Sequence, residues 1–414
     1  MDRRDGPRAR CYTTPTMDTI VANTIDLLVA AILVALVARR LRLPYTVGLV
    51  IAGIGLALTQ AGVNVVLTHE FILDVILPPL LFEAAINIRW PDLRRDALPV
   101  LTLAIPGTLI AAAVVSTGIV LVLHWPLRSA LLFGVLIAAT DPVAVIAMFK
   151  DNHTEGRLRL LVESESLFND GVAAVLFTLA TGGMQLMGAT APTWMEAGKT
   201  LLLTAGGGIA IGLICAGAAL LLVGRTTDRM VESTLTTVAA YGSFLLADRL
   251  HASGVLSTVA AGLVVGTVAV LRDDERSRMT QRGREFVLAL WEFIAFIANS
   301  LVFLMIGVTV AGLSFARPGL TACAIIVGLV LLGRALTVYP LCLLFYRSRW
   351  KVPAWSQHVL WWGGLRGALG LALALSLPPD MAFRNEILVS TFAVVVFSVI
   401  VQGLTMPFLL RRAA

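Results

Sequence analysis

ESLFND, Glu165 to Asp170, decides how this chain is read. It sets two carboxylates, a hydroxyl and an amide inside RLRLLVESESLFNDGVAAVLFTLA (157–180), a segment otherwise dominated by Leu, Val, Ala and Phe. The pattern predicts a helix over 161–182, on which residues four apart share a face. Ser166 then stands with Asp170 and, about 100° round, Glu165 stands with Asn169. One face can ligate an ion while its neighbour anchors the site.

Such a cluster is expensive only if the segment lies in hydrocarbon, where polar groups mark function. Composition places it there. Hydrophobic residues make up 58% of the 414 residues and charged residues 14%, whereas a soluble domain carries about 25% charge. Apolar runs of about 17 to 25 residues, read against their breakers, predict thirteen membrane spans. They lie near 20–38, 45–61, 70–87, 97–122, 129–149, 161–182, 199–223, 231–248, 254–271, 285–312, 319–346, 354–378 and 386–410. The expected fold class is an all-α polytopic membrane protein.

The loops fix orientation. One alternating set holds twenty-one basic residues, among them Arg39, Arg40, Arg42, the five arginines between 272 and 284, and Arg347, Arg349 and Lys351. The other set holds Arg128, Lys199, Arg249, Arg317 and Arg384. By the positive-inside rule the first set is cytoplasmic, so the C-terminus is expected in the cytoplasm and the N-terminus outside. The arginine-bearing stretch before Met17 breaks this pattern; residues 1–19 are set apart as a tail ahead of a natural start at Met17, and 20–414 as the membrane domain. A net charge of +6 spread over short loops forms no stripe for nucleic acid. Cys11, Cys215, Cys323 and Cys342 are scattered without metal-ligand spacing and read as packing residues.

Two basic residues fall inside apolar spans, Arg334 and Arg366. A buried arginine keeps its proton, so each needs a carboxylate or several carbonyls. Arg366 lies in GGLRGALG (363–370), where glycines weaken the helix of span twelve. Span five contains ATDPVAV (139–145), in which Pro142 removes a donor and disfavours helix at Asp141. Spans five and twelve are seven apart and cross in opposite directions, as inverted repeats of spans one to six and eight to thirteen would. Counted from the cytoplasmic side, Asp141, Asp170 and Arg366 all lie about 13 to 18 Å deep in a core about 30 Å thick. Two discontinuous helices thus leave free carbonyls and amides near the midplane, tolerable only where protein or a wet cavity covers them.

With these residues in place, the chain resembles the monovalent cation:proton antiporter-1 family, the sodium/proton antiporters of the NhaP type. The matching stretches are LPPLLFEAAINI (77–88), ATDPVAV (139–145), ESLFNDGVA (165–173) and GGLRGALGLALALSLP (363–378). The resemblance implies a homodimer in the cell membrane, with spans 1–3 and 8–10 as a dimerising scaffold, spans 4–6 and 11–13 as an ion-transporting core, and span 7 as linker. It implies that Asp170 binds cation and proton in turn, with Ser166, Glu83 and the backbone of Thr140 completing the cation shell. Asn169 steadies the site, Glu165 pairs with Arg334, and Asp141 with Arg366. No cofactor is expected beyond the transported ion and proton, and no regulatory domain after Arg412.

Residue types point the same way. Carboxylate, hydroxyl and carbonyl oxygens suit sodium or lithium, and no histidine sits in these motifs. Asn169 beside Asp170 leaves one titrating acid on the ion-binding face, which predicts electroneutral one-for-one exchange. Potassium/proton exchange on the same fold, a cation channel and an intramembrane aspartyl enzyme are the rival readings. Glycines 48, 53 and 55 of span two are expected to allow a tight helix contact against which the core moves. Asp74, Glu163, Asp248, Glu285 and Glu292 read as solvated or structural.

Overall fold

The computed structural model describes residues 29, 31–34, 36–38, 40, 44–59, 68–151, 156–186, 194–272, 278–313 and 318–411. Every regular element among them is helical. The first expected span is described only at scattered positions from 29 onward, which are helical, and the tail with Cys11 lies outside the described residues. The other twelve expected spans each coincide with helix.

In chain order these are α1 (Tyr45–Leu58), a π-helical stretch (Phe71–Ile76) running into α2 (Leu77–Ile86), and α3 (Trp90–Leu123). Then come α4 (Leu127–Ala138), α5 (Val143–Asp151), α6 (Arg157–Leu186) and α7 (Trp194–Val223). Next are α8 (Arg229–Arg249), α9 (Gly254–Val265) and α10 (Gln281–Ala311). The last are α11 (Leu320–Leu343), α12 (Ala354–Trp362), α13 (Ala368–Leu375), α14 (Arg384–Phe397) and α15 (Gly403–Arg411). Five helical segments are long and apolar enough to cross a membrane: Trp90–Leu123, Gly198–Val223, Gln281–Ala311, Leu320–Leu343 and Arg384–Leu410. Large apolar side chains such as Leu202, Ile214, Leu320 and Phe408 stand exposed on the outside, a surface suited to lipid and not to water.

Local chemistry sets the helix ends. Asp228, Ser253 and Thr280 cap α8, α9 and α10, each accepting from a first-turn amide at 2.8, 3.2 and 3.0 Å, which satisfies donors that have no carbonyl four residues back. Within α3 the backbone departs from helix at Asp96 (φ −108°, ψ 16°). Pro99 is the cause, because it lacks the N–H that would bond the Arg95 carbonyl. That carbonyl instead accepts from Trp350 Nε1 at 2.9 Å. Arg157, at the start of α6, bonds Asp96 Oδ1 through Nε at 2.8 Å and the carbonyls of Lys351 and Trp350 at 2.7 and 3.0 Å. One guanidinium thereby ties the α3 kink, α6 and the 344–353 connection together.

The helices pack around three cores, one of them formed by α1, α10, α13 and α14 around Leu49, Phe303 and Phe392. α3, α4, α6, α11 and α13 surround Phe133, Leu136, Ile326 and Leu365, while α2, α7, α8, α9 and α10 surround Phe82 and Trp291, whose rings lie 4.5 Å apart. α1 lies along α10 so closely that a Cβ on Gly53 would strike the Leu304 carbonyl and one on Gly307 the Val50 carbonyl. The tight contact expected of span two is therefore made by Gly53. Gly48 faces Val34 and Ala38, and Gly55 has open space beside it.

Candidate ion-binding site

The fifth and twelfth spans are broken where the sequence places the breaks. α4 stops at Ala138 and α5 starts at Val143; α12 stops at Trp362 and α13 starts at Ala368. The two breaks meet. Asp141 N donates to the Leu365 carbonyl at 2.8 Å, and Arg366 Nη1 donates to the carbonyls of Ala138 and Ala139 at 2.9 and 3.0 Å. The contact depends on missing side chains. A Cβ on Gly367 would fall on the Asp141 carboxylate, one on Gly364 would lie 2.7 Å from Arg334 Nε, and one on Gly370 would lie 2.9 Å from the Leu136 carbonyl.

The expected pairing of Asp141 with Arg366 is not made. Ending α4 at Ala138 orphans its last carbonyls, and two of these take the guanidinium. Asp141 turns the other way, its Oδ1 accepting from Val143 N at 2.9 Å at the start of α5. Of the two kinds of partner open to a buried arginine, Arg366 uses carbonyls and Arg334 uses a carboxylate. Arg334 Nη1 and Nη2 bond Glu165 Oε1 and Oε2 at 2.7 and 2.8 Å, and Nε and Nη2 reach the Leu360 carbonyl at 3.2 and 3.0 Å.

On α6 the two expected faces are distinct. Asn169 Nδ2 donates to the Ala138 carbonyl at 3.1 Å and to Thr140 Oγ1 at 3.2 Å, and lies 3.5 Å from Glu165 Oε1. Its Oδ1 accepts from Thr108 Oγ1 at 2.8 Å. Ser166 Oγ lies 2.8 Å from Thr140 Oγ1 and donates to the Thr140 carbonyl. The Glu165–Asn169 face thus fixes α6 to the first break and to α11. The Ser166–Asp170 face looks onto the break and a cavity.

That cavity, about 520 Å³, is lined by Asp170, Thr140, Asp141, Glu83, Glu163, Glu292 and the start of α13. None of the described residues bonds the Asp170 carboxylate. Glu83 stands on α2, its Oε1 accepting from Asn87 Nδ2 at 3.0 Å; it shares the cavity with Asp170 and Thr140. Thr140 and Ser166 present oxygens beside the break; Asp170, Thr140 and Glu83 line the cavity and Ser166 does not, and oxygen donors of these kinds are those hard cations take.

Sequence reading missed three residues here. Thr108 follows Pro106 in an apolar run and carries no motif. Glu163, bonded to Arg159 Nε at 2.9 Å, and the exposed Glu292, both read from the sequence as solvated or structural, also line the cavity. For Glu163 the signal was present: it lies seven residues before Asp170, hence two turns away on the same face.

Residues 27–412 match the family described as "Sodium/hydrogen exchanger, transmembrane". This chain belongs to the sodium/hydrogen exchanger family. Within that family it is 40% identical over 381 residues to the Na(+)/H(+) antiporter ApNhaP of Aphanothece halophytica, covering 90% of this chain and 70% of that one. It is 36% identical to the Na(+)/H(+) antiporter NhaP of Pseudomonas aeruginosa, covering 83% and 81%. The fold of this exchanger-family chain matches that of the sodium proton antiporter MjNhaP1 from Methanocaldococcus jannaschii at pH 8, with a TM-score of 0.74 and 20% identity over 94% of this chain and 98% of that one.

Proposed function

We propose that this protein is a secondary active transporter that exchanges sodium or lithium for a proton, electroneutrally and one for one, by alternating access. It works as a homodimer of thirteen-span protomers in the cell membrane, N-terminus outside. The α1, α2, α8, α9 and α10 group is the scaffold, and α3–α6 with α11–α15 the moving core. The observation that carries this reading is a carboxylate, Asp170, that bonds none of the described residues and is placed on a cavity beside two crossed helix breaks, while its neighbour Glu165 is held by Arg334.

Coupling follows from the cost of the bare anion. A buried carboxylate resists ionisation unless a cation accompanies it, so sodium and proton compete for one charge. Carrying Asp170 empty and ionised past the hydrocarbon costs several kcal/mol. At about 1.4 kcal/mol per tenfold, even ~4 kcal/mol suppresses uncoupled return roughly a thousandfold. The loaded and protonated forms cross readily, and exchange results. Acidic residues at the rim (Glu83, Glu163 and Glu292) raise the local cation concentration on the side where the cavity opens, which the arginine-rich loops identify as cytoplasmic.

The test is a proteoliposome assay with a pH dye, in which sodium, lithium and potassium are titrated in turn against a proton gradient. Sodium- or lithium-driven proton flux is expected. Flux driven by potassium alone would reassign the substrate, and sodium current without proton movement would make the protein a channel.

A further inference from the structure

The cavity has a second wall, formed by α10 and the start of α1, to which neither the sequence motifs nor the Asp170 face assigns a role. α10 turns Leu288, Glu292, Ala295, Phe296 and Asn299 toward the cavity, a spacing of one helical face. Glu292 and Asn299 are seven residues apart, about 10 Å of rise. On the opposite wall Glu163 and Asp170 are also seven apart. Both helices leave arginine-rich loops, so both descend from the same side. Each wall thus carries a carboxylate, Glu163 or Glu292, about two turns nearer that side than Asp170 or Asn299; the first two are the carboxylate rung and the second two the deeper rung.

At the deeper rung two oxygens are unspent. Asn299 Oδ1 and Thr46 Oγ1 are buried and have no hydrogen-bond partner among the described residues, and Thr46 is 3% exposed. Both residues line the cavity. Several other buried threonines give their hydroxyl to a backbone carbonyl, as Thr391 does to Ile387 at 2.7 Å and Thr236 to Ser233 at 2.7 Å. Thr46 stands in the first turn of α1. The neighbouring pair, Tyr45 Oη and Ser300 Oγ, satisfy each other at 2.7 Å, so the surroundings are not short of partners in general. A buried polar atom left unmade costs stability. Two of them facing one cavity mark a place where something else supplies the contact. An amide oxygen and a hydroxyl oxygen, uncharged and hard, suit an alkali cation or its water.

We propose that Asn299 and Thr46 form a second station for the transported monovalent cation, on the wall opposite Asp170. They contact the ion or its water as it passes from the carboxylate rung to the aspartate, and so set the apparent affinity from this side. The inference rests on the exchange reading above.

Thr46→Val and Asn299→Leu each delete an oxygen at nearly constant volume. In proteoliposomes the sodium concentration for half-maximal exchange is expected to rise about threefold to fivefold in each variant and roughly tenfold or more in the pair. This shift exceeds any change in maximal rate, and the lithium-to-sodium ratio of half-saturation moves with it. If Asn299→Leu lowers the yield of folded protein, Asn299→Ser keeps a shorter oxygen and gives an intermediate shift. Unchanged half-saturation in the double variant, or a fall in maximal rate alone, overturns the station while wild-type exchange stands. Wild-type liposomes without sodium-driven proton flux overturn the exchange reading itself.

Discussion

Glu165 and Arg334 are joined by two parallel hydrogen bonds, 2.7 and 2.8 Å long, although 169 residues separate them in the chain. The pair is almost wholly shielded, with 2% and 6% of the two side chains exposed. It locks α6, which carries Asp170, to α11, and through the Leu360 carbonyl to the end of α12. Its charges cancel about one turn from Asp170, which on the exchange reading proposed above gains and loses a partner.

Removing one member of this pair strands the other. Arg334→Ala or Glu165→Ala is expected to cost about 3 to 5 kcal/mol, read as a fall in the thermal unfolding temperature of detergent-purified protein. A double replacement by apolar residues of similar volume is expected to recover much of the loss. Wild-type stability in either single variant would show that the pair does not hold the helices together.

Asp170→Asn keeps the shape of the side chain and removes its charge. Exchange in proteoliposomes is expected to vanish while the unfolding temperature stays near that of the wild type, because Asp170 bonds none of the described residues. Retained sodium/proton activity would move the site elsewhere.

Competition for one carboxylate fixes the sign of the pH response. Protons occupy Asp170 as pH falls, so activity declines on the acid side. More sodium requires more protons to displace it, and the acid limb moves to lower pH by about one unit per tenfold sodium above saturation, by mass action. The check is a family of pH profiles at graded sodium, and profiles that superimpose would exclude direct competition.

Gly367 lies against the Asp141 carboxylate. Gly367→Ala must push the two breaks apart and is expected to abolish exchange and lower stability by several kcal/mol, in the range of severe overpacking. Gly328→Ala, which meets nothing within 4 Å, is the matched control and is expected to be neutral in the same assays.

Thr108 holds the Asn169 amide in the orientation that turns Nδ2 toward the break. Thr108→Val leaves Oδ1 unpaired at a cost of about 1 to 3 kcal/mol. Slower exchange with reduced stability is the expected outcome, measured by initial rates and thermal unfolding. Unaltered rates would assign the orientation to Ala138 and Thr140 alone.

The breaks were legible because proline and glycine act on their own backbone: Pro142 and the glycines around Arg366 dictate a local interruption whatever surrounds them. The helix faces of 165–170 were legible because spacing alone sets them. Partner choice was not. Arg366 could take a carboxylate or carbonyls, and its choice was decided by which orphaned groups the crossing brought near, a tertiary fact. Thr108, Asn299 and Thr46 gave no signal for the same reason, since a lone polar residue in an apolar run acquires meaning only from what faces it. Glu163 is paired with Arg159 and Glu292 is exposed, in keeping with places near span ends; what those places did not reveal is that one cavity reaches both.

Where Gly53 meets Gly307, two backbones touch with no side chain between them. Such a seam has no lubricating layer: it can neither slip by a rotamer change nor swell to admit a neighbour. α1 and α10 therefore behave as one stiff beam. On the exchange reading proposed above, this beam, one bank of the cavity, is the fulcrum against which the core rocks.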